Sequence, residues 1–251
     1  MLNGKKIVLG VTGGIAVYKA VDLVSRLRKQ GAEVRVVMTE HAQQFVTPLT
    51  FKEISGNKVA VSMWEANQEF NVEHIALANW ADAFVVAPAT ANILAKMASG
   101  IADDLLSTTL LAAQAPIIVC PAMNTGMYQN PITQENIAKL QKHGVTVMPP
   151  AVGYLACGVT GPGRLPEPQQ IVEFIDNFFA KKDGDMVGLK VLVTAAGTRE
   201  PIDPVRFVGN RSSGKMGYAI AQAAAQRGAE VLLVSGPSAL EIPPNVKGLR
   251  V

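Results

Sequence analysis

Chemistry in this chain would come from a few side chains placed where apolar runs end. The first such place is VTGGIAVYKA, where the run Ile7–Val11 gives way to Gly13 and Gly14 and then to a helical pattern. Glycines between a strand and a helix let backbone N–H groups approach a phosphate, and the helix N-terminus favours its charge. The alternative is a tight βα turn with no ligand. Thr39, at the end of the next apolar run, could give its hydroxyl to the same phosphate. The pattern is not G-x-G-x-x-G, and Met38-Thr39 stands where an NAD ribose would want an acid. A plain NAD site is weakened accordingly.

Two further run ends carry short polar side chains. PATANILAK offers Thr90 and Asn92, as ligand contacts or as caps of the next helix. PAMNTGMY sets Asn124 among Ala122, Met123 and Met127. A buried Asn must find partners, so it either fixes a carboxylate or amide, or bonds its own backbone in a turn. Cys120 lies inside an apolar strand and reads as a small buried side chain. In FNVEHIALANWAD, a helix would put His74, Leu77 and Ala78 on one face, as a base or as a core histidine. His143 reads as a cation at a helix C-terminus, and His41 has no partner pattern. The histidine spacing fits no metal motif. Cys157, in YLACGVTGPGRLPE, is a nucleophile, proton donor or redox group, or an incidental loop thiol. Arg164 suits an anionic substrate or a salt bridge. Late in the chain, AAGTREPIDPVRF and GNRSSGKMG gather Gly197, Thr198, Ser212, Ser213, Gly214 and Gly217 as donors for a nucleotide phosphate. Met216 after Lys215 excludes a Walker A loop.

The elements that must position these residues follow from periodicity. Strands are expected at Ile7–Val11, Glu33–Met38, Ala83–Ala87, Pro116–Cys120 and Val145–Met148. Helices are expected at 15–30, 93–98, 103–113, 133–143 and 169–180, with a less regular stretch over 41–80. Residues 153–168 read as a Gly/Pro-rich loop, a lid or an inert surface segment. Residues 181–188 have the composition of a linker. The opening pattern then restarts, with strands at 191–194 and 230–235 around a helix at 217–227. The fold class is α/β: a flavodoxin-like or Rossmann-like parallel sheet domain over 1–180, then the start of a second Rossmann-like domain over 189–251. The second domain reads as incomplete, with room for only a couple of βα units.

Composition bounds the partners. The 251 residues carry a net charge of +3, 49% hydrophobic and 17% charged residues, so a real core is affordable and disorder is excluded. Without a dense Lys/Arg run, nucleic acid is not indicated. No membrane span or export signal is apparent. Two cysteines make no disulfide framework, and a reducing, cytoplasmic setting is expected.

Taken in order, VTGGIAVYKA, NVEHIALANWAD, PATANILAKMASGIADDL, PAMNTGMY, ACGVTGPGR and VTAAGTREPIDPVRFVGNRSSGKMGYAIA resemble a specific family. It is the homo-oligomeric flavin-containing cysteine decarboxylases, in the bacterial form that fuses phosphopantothenoylcysteine decarboxylase to phosphopantothenate–cysteine ligase of coenzyme A biosynthesis. The resemblance implies FMN, with Gly14, Ile15, Ala16 and Thr39 at its phosphate and Thr90 and Asn92 near its rings. It implies decarboxylation of 4′-phosphopantothenoylcysteine to 4′-phosphopantetheine through a thioaldehyde and an enethiolate. His74 would be the base, Asn124 would bind the carboxylate, and Cys157 would protonate the enethiolate. Met123 and Arg164 would meet the substrate. Gly197, Asn210, Ser212, Ser213, Gly214 and Lys215 would meet CTP, with Mg2+, and the acyl-cytidylate. Little ligase activity is expected of these residues alone. A trimer or dodecamer with FMN near a subunit interface is implied. PATANI for PASANT, Tyr128 for Trp and AAG for AGG depart from the family. Ala196 cannot take a positive φ cheaply. A flavin-binding regulator without turnover, a peptidyl-cysteine decarboxylase and a flavin prenyltransferase are the alternatives.

Overall fold

The structure, a computed structural model, describes residues 2–64, 73–155, 158 and 160–251, the side chains of 181–183 excepted. It divides into two compact units, Leu2–Phe174 and Ile175–Val251.

In the first unit, β1 (Lys6–Val11) leads through a glycine turn to α1 (Val17–Lys29), and β2 (Glu33–Met38) returns beside β1. Then come α2 (Glu40–Gln43), α3 (Pro48–Ser55), β3 (Val59–Ala60) and α4 (Glu73–Trp80). β4 (Ala83–Ala89), α5 (Ala91–Ser99), α6 (Leu105–Ala112), β5 (Ile117–Pro121), α7 (Thr125–Gln129), α8 (Pro131–Lys142) and β6 (Thr146–Val147) follow. The strands run parallel in the order β3-β2-β1-β4-β5-β6. Of the two common doubly wound orders this is the Rossmann one, and it reverses between β1 and β4. Such sheets place their ligand outside the carboxyl ends of the strands at that reversal.

β4 is buried along its whole length, as a strand covered on both faces must be. Phe84, Leu94, Leu106, Val119 and Leu140 share its core. Burying one such side chain contributes about 1.5–3 kcal/mol. Helix propensity is worth only tenths of that per residue, so burial holds α5 and α6 in place. Gly31, at φ 86°, ends α1 as expected. α1 buries Val17, Ala20, Leu23, Val24 and Leu27, and with them Lys19.

Three stretches differ from the sequence expectation. Within 41–80, the described residues 41–64 and 73–80 hold more regular structure than their pattern suggests. Thr39 caps α2, Pro48 opens α3 and Gly56 ends it at φ 70°, but these elements are too short to show a period. The expected loop over 153–168 holds an antiparallel ribbon, β7 (Ala151–Tyr154) with β8 (Thr160–Arg164). Glycine and proline hide a strand from propensity, yet a two-stranded ribbon tolerates them. α9 (Pro168–Asp183) runs on into the expected linker. Beyond it the Asp185 carboxylate accepts from Arg227 Nε at 2.8 Å, and Met186 N–H donates to the Arg227 carbonyl. A Cβ on Gly184 would lie 2.0 Å from that carbonyl oxygen, so this glycine is fixed by docking, not chosen for flexibility.

The second unit carries β9 (Lys190–Ala195), a hairpin of β10 (Arg199–Pro201) and β11 (Phe207–Gly209), α10 (Lys215–Gln226), β12 (Glu230–Ser235) and β13 (Val246–Arg250). β13, β12 and β9 form a parallel sheet in that order. Val193, Val231 and Leu233 pack with Tyr218, Ala221 and Ala225 of α10. Leu192, Leu232 and Leu249 stand exposed on the opposite side of the pleat.

Candidate functional site

A cavity of about 460 Å³ opens at the carboxyl edge of the first sheet. Gly14, Ile15 and Ala16 form one wall, Met123 and Asn124 another, and Tyr154, Gly163 and Arg164 of the ribbon a third. Pro88 and Lys19 also line it. Ala16, the N-cap of α1, makes no side-chain cap, and the Val17 and Lys19 N–H groups turn back to the Gly14 and Ala16 carbonyls, both at 3.0 Å. Gly13 has a packing reason as well: a Cβ there would lie 2.4 Å from the His41 Cβ.

Thr12, which the sequence reading passed over, ties this edge together. Its buried hydroxyl donates to the Pro88 carbonyl at 2.7 Å and accepts from Thr90 N–H at 3.1 Å. The β1 and β4 loops are thereby held in one register. Thr90 caps α5, its hydroxyl accepting from Ile93 N–H, and its methyl lies 3.7 Å from where a Gly14 Cβ would be. Thr39 likewise caps α2, accepting from Ala42 N–H at 3.3 Å. It lines a neighbouring cleft with Glu40, Asp103 and Asp104. Asn124 caps α7 through Oδ1, which accepts from Gly126 N–H at 2.8 Å. For these three residues the capping alternative is present in fact.

Lys19 is 5% exposed, and its ammonium donates to the Leu165 carbonyl and to Glu167 Oε1, both at 2.9 Å. Arg164 Nη2 donates to the same carboxylate oxygen at 2.8 Å. The hydrogen bond from Lys19, with lesser help from Arg164, holds the Glu167 carboxyl below the usual carboxylate range. Cys120 is fully buried, and desolvation pushes its thiol up to about 12, which removes it from nucleophilic chemistry.

In the second unit the loops after β9 and β11 meet at the N-terminus of α10. Asn210 Oδ1 accepts from Ser212 N–H at 3.0 Å, and Ser212 Oγ accepts from Gly214 N–H at 3.4 Å. A Cβ on Gly197 would lie 2.7 Å from Asn210 Oδ1. Gly197, Asn210, Ser212 and Gly214 are therefore adjacent, with exposed Lys215 opening α10. Ala196 sits at φ 76°, the conformation a glycine would take freely. The left-handed strain costs about 1–2 kcal/mol, and a glycine returns roughly 0.5–1 of that as unfolded-chain entropy. Ala196→Gly is thus expected to stabilise the chain by about 0.5–1 kcal/mol. Denaturant unfolding of the two proteins side by side checks this, and an unchanged midpoint would show that the loop relaxes around alanine.

Residues 1–180 match the family model described as Flavoprotein, and residues 186–251 match the DNA/pantothenate metabolism flavoprotein C-terminal domain. The chain belongs to the flavoprotein family. It is 52% identical over 250 residues to the coenzyme A biosynthesis bifunctional protein CoaBC of Vibrio vulnificus, a match covering 100% of this chain and 62% of that protein. The chain thus spans about 62% of the length of such curated relatives. A solved PPC decarboxylase mutant complexed with pantothenoylaminoethenethiol is 32% identical, covering 70% of this chain and 99% of its own, with a TM-score of 0.63. The FMN-dependent cysteine decarboxylase SpaF is also 32% identical, covering 69% and 96%, with a TM-score of 0.59.

Within this flavoprotein unit, Gly14, Ile15, Ala16, Met123, Asn124 and Arg164 converge on one cavity. Thr90 sits just behind the glycine turn, whereas Asn92 is exposed in the first turn of α5 and Thr39 faces the neighbouring cleft. His74 is half-buried on α4 and does not line the cavity. Cys157 lies outside the described residues. Lys19, Thr12 and Tyr154 are the residues that sequence reasoning missed. None of the three carried a clear signal: Lys19 reads as a solvated lysine until the fold sets it on the buried side of α1.

Proposed function

We propose that the first domain, residues 1–180, is an FMN-dependent lyase that decarboxylates 4′-phosphopantothenoylcysteine to 4′-phosphopantetheine. The observation that carries this reading is the convergence of the glycine turn, Asn124 and Arg164 on one largely apolar cavity at the sheet reversal. The cavity fits FMN chemically: N–H groups of an uncapped helix start for a phosphate, and apolar walls from Ile15, Pro88 and Met123 for a ring system. When bound, FMN supplies reversible hydride acceptance, which makes the carbon bearing sulfur an electron sink for loss of CO₂.

The chain's own residues do the rest. Gly14, Ile15 and Ala16 hold the flavin phosphate, with Thr39 one strand over; Thr90 and Asn92 support the ring side. Asn124, fixed by its cap to Gly126, orients the substrate carboxylate. Met123 and Arg164 hold the remainder of the substrate. His74 serves as base or orienting group in the oxidation, delivered from a second copy in a trimer or dodecamer. Cys157 protonates the enethiolate through the thioaldehyde–enethiolate sequence. In the second domain, residues 189–251, Gly197, Asn210, Ser212, Ser213, Gly214 and Lys215 form part of a CTP site for phosphopantothenate–cysteine ligation, Mg2+ arriving with the nucleotide.

The test is an absorption spectrum of the purified chain, with the released cofactor weighed, followed by turnover of phosphopantothenoylcysteine. Flavin bands, FMN by mass and CO₂ release are expected. The Cys157→Ser variant is expected to accumulate the oxidised, decarboxylated enethiol. A folded, colourless protein that takes up no added FMN overturns the reading, and normal turnover by Cys157→Ser overturns the role given to that thiol. No described helix is long and apolar enough to cross a membrane.

A further inference from the structure

Arg164 is anchored from behind. Glu167 Oε1 takes one hydrogen bond from Arg164 Nη2 and one from Lys19 Nζ, and Lys19 also fixes the Leu165 carbonyl at the end of β8. Lys19 is held on the buried side of α1, the helix that starts at the cavity. Across the ribbon, Gly153 lies beside the Arg164 side chain, where an added Cβ would sit at an ordinary contact distance of 3.5–3.6 Å. The guanidinium is thus tied on one edge while the residue lines the cavity. A fork with one edge fixed presents its other edge to an oxyanion with little rotamer entropy left to lose.

We propose that Lys19 and Glu167 are positioning residues, a two-part brace that presents Arg164 to an oxyanion of the substrate. This rests on the decarboxylase reading of the same cavity. The oxyanion is the substrate's phosphate or its carboxylate, since a guanidinium recognises both in the same bidentate way. Neither Lys19 nor Glu167 need touch the substrate. Lys19 spends donors on protein oxygens, and Glu167, of like charge to the substrate, faces the far edge of the arginine.

The test is Glu167→Gln, chosen because the Glu167 side chain is 55% exposed and glutamine keeps an oxygen that can accept from Lys19. Loss of a charged hydrogen bond that orients the arginine is expected to raise KM about ten-fold with kcat little changed. In an Arg164→Ala background the same change is expected to add nothing, because the brace then has no group to present. Repeating the KM measurement with dephosphorylated pantothenoylcysteine separates the sources. A penalty that vanishes assigns the phosphate, and one that persists assigns the carboxylate. Equal KM values for wild type and Glu167→Gln, or a penalty that survives undiminished on Arg164→Ala, overturns the proposal. The flavin spectrum is recorded on every variant. Should the wild type hold no flavin and release no CO₂, the decarboxylase reading fails on its own account. The brace is then decided by calorimetry with inorganic phosphate and with pantothenoylcysteine, which carries the carboxylate alone: about ten-fold weaker binding of either by Glu167→Gln supports it, and unchanged binding of both overturns it.

Discussion

Replacing His74 with Asn is expected to lower turnover of phosphopantothenoylcysteine by about 10²–10⁴-fold, the usual contribution of a positioned base, while flavin stays bound. On the role proposed for it, Asn124→Ala is expected to fail in the same assay through loss of carboxylate orientation. The informative result comes from mixing them. The cavity that Asn124 lines has no contribution from His74 of the same chain. If the site is completed by a second copy, dissociating and reassembling the two dead variants together restores a fraction of wild-type activity. Each mixed contact can then bring an intact His74 to an intact Asn124. Reassembled variants that hold flavin and remain inactive would place base and carboxylate binder on one chain, and the composite site would be wrong. Closed cyclic symmetry makes such a shared site simple to build, because one pair of complementary patches on each copy, repeated round the ring, forms every interface.

How far the sequence could be read depends on which interaction dominates locally. β1, β4 and β5 are legible because a strand buried on both faces must be a nearly undiluted apolar run, and β2 is legible from Val34 and the run Val36–Met38 despite Glu33 and Arg35. Asn124 stands out because a lone amide among methionines needs partners, and the cap to Gly126 is one of them. Thr12 does not stand out. A hydroxyl at a strand end looks like any loop threonine until the Pro88 carbonyl is brought to it from 76 residues away. Lys19 fails for the opposite reason, since a lysine in the first turn of a helix reads as solvated and only the ribbon folding over it makes it buried. The ribbon itself is masked by Gly161, Pro162 and Gly163, which have low strand propensity but leave space for Thr125 and the Met123 carbonyl. At Ala196, alanine where relatives carry glycine points to strain, and the backbone carries it at φ 76°.

Gly163→Ala is expected to produce the largest loss of stability of any single methyl added near the cavity. Gly163 has φ 133°, a conformation side chains rarely adopt, and a Cβ would lie 2.2 Å from the Met123 carbonyl oxygen. That atom is backbone and cannot swing aside. Its own residue is tied back, with Met123 N–H donating to the Gly163 carbonyl at 2.9 Å. Strain of about 1–3 kcal/mol and overpacking of similar size therefore act together. A net cost of about 3 kcal/mol would lower Tm by roughly 6–12 °C for a unit of this size. Relief could come only by lifting β8 away, which would carry Arg164 out of the cavity and separate Asn124 from the ribbon. Flavin content and KM should deteriorate with Tm. Gly14→Ala is the control, because the nearest atom to its added methyl is the Thr90 methyl at an ordinary 3.7 Å. That variant is expected to melt within about 0.5 kcal/mol of wild type. Any loss of FMN from it then reports the crowding of a phosphate at the helix start rather than damage to the fold. A Gly163→Ala protein with wild-type Tm and KM would mean that β8 is not held against the β5–α7 loop, and the third wall of the cavity would have to be redrawn.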